Sequence, residues 1–283
     1  MEVVLSTARS LNAITKLLDI KPTSVSNAEV SDEDVHATQQ RANIWRYRKR
    51  LNLPWNINKG IRGIIRKFMP HKAVLAEIRK FAHCELLLAM QLENHTPSFH
   101  IQAKTLAQLT ELHLPIVVNI TPLPDSACID CAFKNDTGGS SEYEECFLEV
   151  IMRTPKSLRN ITRLIGISPT VILKKGSPIG KPGFAVYHRN ILMYRTKPLR
   201  KPWNVNRNIP PFIKKFMAYK TALFEINKFA KCDFSIVMYL EKQSSSFCLS
   251  NKLLQQVTLL DWDIDVDIIL LPYYRCTSCP HRV

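Results

Sequence analysis

The chain is written twice, and that duplication constrains its folding more than any single motif. The segment WNINKGIRGIIRKFMPHKAVLAEIRKFAHCELLLAMQLE, from Trp55, returns as WNVNRNIPPFIKKFMAYKTALFEINKFAKCDFSIVMYLE from Trp203, an offset of 148 residues. Upstream, AITKLLDIKPT (from Ala13) matches NITRLIGISPT (from Asn160) at an offset of 147, and downstream SFHIQAKTLAQLTEL matches SFCLSNKLLQQVTLL at 148 again. Repeats on this scale make two tandem domains the natural division of 283 residues. The small and acidic stretch KNDTGGSSEYEE has no apolar periodicity and reads as a linker at 134–145, between a first repeat at 1–133 and a second at 146–283.

Each copy shows one order of elements. A short apolar strand (from Glu2; from Phe147) precedes a helix that Ser10 or Ser157 is placed to cap and that ends near Pro22 or Pro169. An alternating strand follows (Ile44 to Arg48; Ile191 to Arg195), and then Ile61, Ile64, Ile65, Phe68, Leu75 and Ile78 recur at helical spacing, as do Ile209, Ile213, Phe216, Leu223 and Ile226. Pro70 is expected to kink or divide the first of these helices, because proline lacks the amide a helix interior needs. The strand CELLLAMQL or CDFSIVMYL, a short SFHI or SFCL strand, a helix and a final strand close each copy. The expected fold class is α+β: two tandem homologous repeats, each a two-layer sandwich of a mostly antiparallel sheet with helices on one face.

Charge gives the first functional clue. Apolar residues make up 46% of the chain and charged residues 22%, as in a packed globular protein, but the net charge is +15. The excess is local: twelve Lys or Arg against the single acid Glu77 between Arg41 and Lys80, and nine against none between Arg189 and Lys220. A solvated face normally mixes signs, so these stretches are read as surfaces for a polyanion, nucleic acid first. The residues expected to carry it are Arg46, Arg48, Lys49, Arg50, Arg62, Arg66 and Lys67 in the first copy, with Lys174, Lys175, Arg195, Arg200, Lys201, Arg207, Lys214 and Lys215 in the second. Trp45, Tyr47, Trp55, Tyr187, Tyr194 and Trp203 are interleaved with them and are assigned to the core rather than to base stacking.

Three further features bear on chemistry. Cys128 and Cys131 stand 148 residues before Cys276 and Cys279, so a Cys-x-x-Cys pair follows the final strand of each copy. If the equivalent ends meet, the four thiolates suit one structural zinc; a redox pair and unrelated thiols are the alternatives. Asp261, Asp263, Asp265 and Asp267 alternate with apolar residues and share one strand face. That row is either the wet face of a strand, paired with lysines on a neighbour, or a divalent-cation site of a metal-dependent hydrolase. Spacing ties no histidine to it. The loop KKGSPIGKPG fails as a phosphate-binding loop, since its glycines are wrongly spaced and prolines remove the amides a phosphate needs. Cys84 and Cys232, at matching positions of the most apolar strand, read as core thiols.

The second copy resembles a bacterial family known as a domain of unknown function, number forty-two seventy-nine. The likeness rests on Ile167-Ser-Pro169-Thr170, the turn Lys174-Lys175-Gly176-Ser-Pro178, a helix with Lys220 in its middle, and the Asp-rich final strand. The first copy keeps Pro22-Thr23 and the helix but lacks the Lys-Gly turn and the acidic strand. The resemblance implies an architecture and supplies no catalytic residue.

No apolar run reaches the ~20 residues of a bilayer span, and the start lacks a secretion signal, so no membrane partner and a cytoplasmic, intracellular location are expected. The expected function is non-catalytic binding of nucleic acid. The alternatives are a module that binds an acidic protein and the hydrolase built on the Asp row.

Overall fold

A computed structural model describes residues 1–27, 42–51, 56–92, 97–122, 145–179, 185–199, 205–240 and 245–270. The first half runs β1 (Glu2–Thr7), α1 (Leu11–Leu18), β2 (Ser24–Ser26), β3 (Asn43–Arg48), α2 (Ile57–Phe68), a single 3-10 turn at Met69–His71, α3 (Lys72–Ile78), β4 (Ala82–Leu92), β5 (Ser98–Ile101), α4 (Ala103–Leu112) and β6 (Ile116–Pro122). The second half repeats this order as β7 (Glu145–Thr154), α5 (Leu158–Ile165), β8 (Val171–Leu173), a minimal hairpin of β9 (Pro178–Ile179) and β10 (Ala185–Val186), β11 (Asn190–Arg195), α6 (Val205–Met217), α7 (Lys220–Asn227), β12 (Lys231–Leu240), β13 (Ser245–Leu249), α8 (Asn251–Leu259) and β14 (Asp263–Leu270).

The architecture is the α+β arrangement expected, with two six-stranded, mostly antiparallel sheets. Their orders are β13-β6-β4-β1-β3-β2 and β5-β14-β12-β7-β11-β8. The halves exchange edge strands: β5 of the first half pairs with β14, while β13 of the second pairs with β6, both antiparallel. The pairs β4 with β6 and β12 with β14 are parallel, each joined by a connection that passes through the other half's sheet. Helix α4 packs on α8, and one continuous hydrophobic core runs through both halves.

Local sequence explains most boundaries. Helix α2 ends at Phe68, and Pro70 sits in the 3-10 turn before α3. The second copy breaks at the same place, between Met217 and Lys220, with Ala218 in the proline's position. Packing therefore sets the break, and Pro70 only suits it. Lys220 consequently opens α7 rather than standing mid-helix. Ser10 and Ser157 occupy the N-cap positions of α1 and α5, but neither side chain makes a capping hydrogen bond. Asn56 does cap α2, its side chain accepting from the Lys59 amide at 2.8 Å.

The central strands of the two sheets differ. Along β4 buried and exposed positions alternate, as on a half-wet sheet. Along β12 every residue from Cys232 to Met238 is buried, including Asp233 and Ser235. That difference puts polar side chains of the long central strand, Asp233 and Ser235, under cover on the second sheet, where β4 has none.

Candidate functional site: a carboxylate and histidine cluster and two basic helices

Strand alternation sorts the second sheet's side chains into two faces. Ile264, Val266, Phe234 and Ile236 fill the core beneath the helices. The opposite face carries Asp263, Asp265 and Asp267 on β14, Lys231, Asp233 and Ser235 on β12, Glu149 and Arg153 on β7, Arg195 on β11 and His100 on the exchanged strand β5. Asp261 is not part of the row: it turns the chain after α8 with φ 54°, a left-handed conformation that Asp tolerates.

These groups are in contact. His100 Nδ1 lies 2.6 Å from Asp265 Oδ1, and its Nε2 lies 3.1 Å from Asp263 Oδ2. The imidazole thus bridges the carboxylates of two positions that share one face of β14. The other Asp263 oxygen accepts the Ala103 amide at 2.7 Å, holding the first turn of α4. Lys231 Nζ stands 3.1 Å from Asp233 Oδ1 and 3.5 Å from Asp263 Oδ2, and Arg153 forms an ion pair with Asp233 Oδ2. The wet-face reading of the Asp row, with lysine on a neighbouring strand, thus describes part of what is found. Histidine is the part that spacing missed, because it arrives from the other repeat.

Burial sets the electrostatics. Desolvation raises the pKa of Asp233, with the charge of Asp265 adding to it, against the opposing Lys231 and Arg153. Asp267 is raised the same way, by burial and then by Asp265. For Lys231 burial pulls downward, but contact with Asp233 and the charges of Asp263 and Asp265 outweigh it and raise the ammonium's pKa. Glu149 is raised by burial, partly offset by its ion pair with Arg195. Beside the cluster opens a groove of about 570 Å³ lined by Arg153, His188, Arg189, Lys228, Lys231, Asp261 and Asp263 among others.

The expected basic surface divides into four groups. Arg46, Arg48 and Arg195 are engaged by carboxylates: Glu2 holds Arg48 at 2.7 Å and Arg46 at 3.6 Å, and Glu149 holds Arg195. Arg62, Arg66 and Lys67 are exposed on α2, as are Lys214 and Lys215 on α6, and among the described residues none of the five is in an ion pair. Arg207 is exposed on α6, Arg50 is exposed beyond β3, Lys49 is half-buried against Gly63 of α2, and Lys174 and Lys175 are exposed in the turn after β8. Arg200 and Lys201 lie outside the described residues, as do Cys128, Cys131, Cys276 and Cys279.

Trp45, Tyr47 and Tyr194 serve the core, whereas Tyr187, also expected there, lies half-buried just after β10 and outside the core cluster. Trp45 is fully buried and donates to Thr15 Oγ1 at 3.2 Å, Tyr47 packs edge-on to Phe68, and Tyr194 packs on Phe216. Trp55 and Trp203 lie outside the described residues. Cys84 and Cys232 are buried free thiols whose pKa burial pushes up to about 12, so they are inert core residues.

Among the described residues, no helix is long and apolar enough to cross a membrane. The family described as "Domain of unknown function (DUF4279)" matches residues 3–123 and again residues 142–271. No curated protein and no solved structure matches the chain.

Proposed function

The chain belongs to the DUF4279 family and carries the domain twice, and from that premise we propose that it is a non-catalytic binding protein whose two basic helices take a polyanion, nucleic acid first. One observation carries the reading. Arg66 and Lys67 on α2 correspond, 148 residues on, to Lys214 and Lys215 on α6; all four are exposed and outside any ion pair among the described residues. Surface lysines and arginines usually find carboxylate neighbours, and a pair of helices that keeps cations on the outer face in both copies is suited to neutralising phosphates. The apolar faces of the same helices are buried, so the charge is presented on rigid elements.

The test replaces Arg62, Arg66, Lys67, Lys214 and Lys215 with Gln and measures affinity for single- and double-stranded nucleic acid across a salt series. Each lost phosphate contact is expected to flatten the slope of log affinity against log salt by about 0.9 on duplex DNA or about 0.7 on single strands. Unchanged affinity and slope would sink the proposal. Capture of an acidic protein that persists after nuclease treatment would point to the protein-binding alternative.

A further inference from the structure

We propose that His100, Asp233 and Asp263 form a binding site for one divalent first-row cation, of the Mn²⁺ or Zn²⁺ class, that staples the exchanged strand β5 to the second sheet. The donor set is one imidazole and two carboxylates, with Asp265 alongside, a nitrogen and oxygen environment that suits both ions. One oxygen or nitrogen from each of His100, Asp233 and Asp263 falls within 4.8 Å of the others. Two ligands ~2.1 Å from a common ion stand about 3 to 3.5 Å apart, and His100 Nε2 and Asp263 Oδ2 are separated by 3.1 Å.

A second observation separates this cluster from an ordinary acidic patch. Asp233 is fully buried and has a cation at each oxygen: Arg153 pairs with Oδ2, and the Lys231 ammonium stands 3.1 Å from Oδ1. The lysine side chain is half exposed, so the positive charge at this buried oxygen comes from a group that a divalent ion can displace. Five carboxylates (Asp233, Asp263, Asp265, Asp267, Glu149) share this face with three permanent cations (Lys231, Arg153, Arg195), and a divalent ion offsets the remaining two negative charges. The neighbouring groove gives Lys231 room to swing out and the ion a route in. Binding displaces the Lys231 ammonium from the oxygens of Asp233 and Asp263 that it now contacts.

Mn²⁺ is the probe, because Cys-x-x-Cys pairs compete poorly for it. Chelator-treated full-length protein at pH 7.5 is titrated with Mn²⁺ alone and read by the loss of the free-ion paramagnetic resonance signal, with the thermal midpoint measured in parallel. The expected result is one ion per chain and a Tm that rises with Mn²⁺. His100→Ala and Asp263→Asn should each weaken binding by roughly ten-fold or more, with circular dichroism confirming the fold. Lys231→Met removes the competing ammonium while keeping all three ligands, and should bind more tightly than the parent. No binding up to millimolar Mn²⁺, equal affinity in the ligand variants, or weaker binding in Lys231→Met would each overturn the site.

Discussion

The two sheets share one strand plan and have kept different outer faces. On the second sheet the side away from the helices carries His100, Lys231, Asp233, Asp263, Asp265 and Asp267; the equivalent positions of the first sheet hold Cys248, His83, Glu85, Pro115, Val117 and Asn119. Both faces nevertheless keep one ion pair in matching places, Glu2 with Arg48 and Glu149 with Arg195. An interaction retained in both copies follows from what the fold needs: a carboxylate on the first strand of each repeat sits under cover and requires a cation. The histidine and Asp row occur in one copy only, so the shared architecture does not demand them. The duplication is an internal control that separates scaffold from addition.

Separating the halves should have the largest effect. Each sheet takes an edge strand from the other half, so a fragment of residues 142–283 lacks β5 and leaves β14 as an open, buried-faced edge. Such a fragment is expected to associate into a dimer that restores the exchange between identical copies, or to lose its cooperative melt. Light scattering and thermal unfolding decide it. A folded monomer would mean that the exchange is dispensable and that each repeat is an independent domain.

How much of this was legible depends on the kind of signal. The strands around Leu86 and Ile236 and the helices around Ile61 and Ile213 are visible because apolar spacing is a local consequence of one buried face. The helix break was marked in the first copy only, by Pro70; Ala218 leaves the matching break in the second copy unmarked. Strand exchange left no such mark: SFHI and SSFCL share Ser-Phe and the same burial alternation, and neither pattern says which edge the strand joins. The pairing of His100 with Asp265 is a consequence of that exchange, across 165 residues, so no spacing rule ties the two. The thin strands β2 and β8 were missed because their residues are mostly exposed and carry no alternation to read.

The shared ion pairs sharpen the comparison at a smaller scale. Arg195→Ala strands Glu149, whose side chain is 2% exposed, and is expected to cost about 2 kcal/mol in denaturant unfolding, below the figure for a fully buried pair because the arginine is 34% exposed. Arg48→Ala should cost about 1 kcal/mol, since Glu2 retains Arg46 and the arginine removed is half exposed. Equal costs would mean that the two faces are covered alike, against the burial pattern of β12.

The smallest effect tests the row itself by importing the first copy's own residue. Asp267 corresponds to Asn119, so Asp267→Asn makes the second face more like the first without changing its shape. Burial and the charge of Asp265 raise the folded-state pKa of Asp267 above its unfolded value, despite Arg153 and Ser235 acting the other way. The folded protein therefore holds that proton at a pH where the unfolded chain has released it, and stability falls as pH rises from the ordinary carboxylate range near ~4 through the folded value. Asn does not titrate, so the variant escapes this loss. It should be more stable than the parent by at most about 1 kcal/mol at pH 7 to 8, with the gain shrinking toward zero as pH approaches ~4. Paired melts of parent and variant across that range measure it. A variant less stable at neutral pH would show that Asp267 is held favourably as a carboxylate, making the row a set of satisfied ion pairs rather than a face with charge to spare.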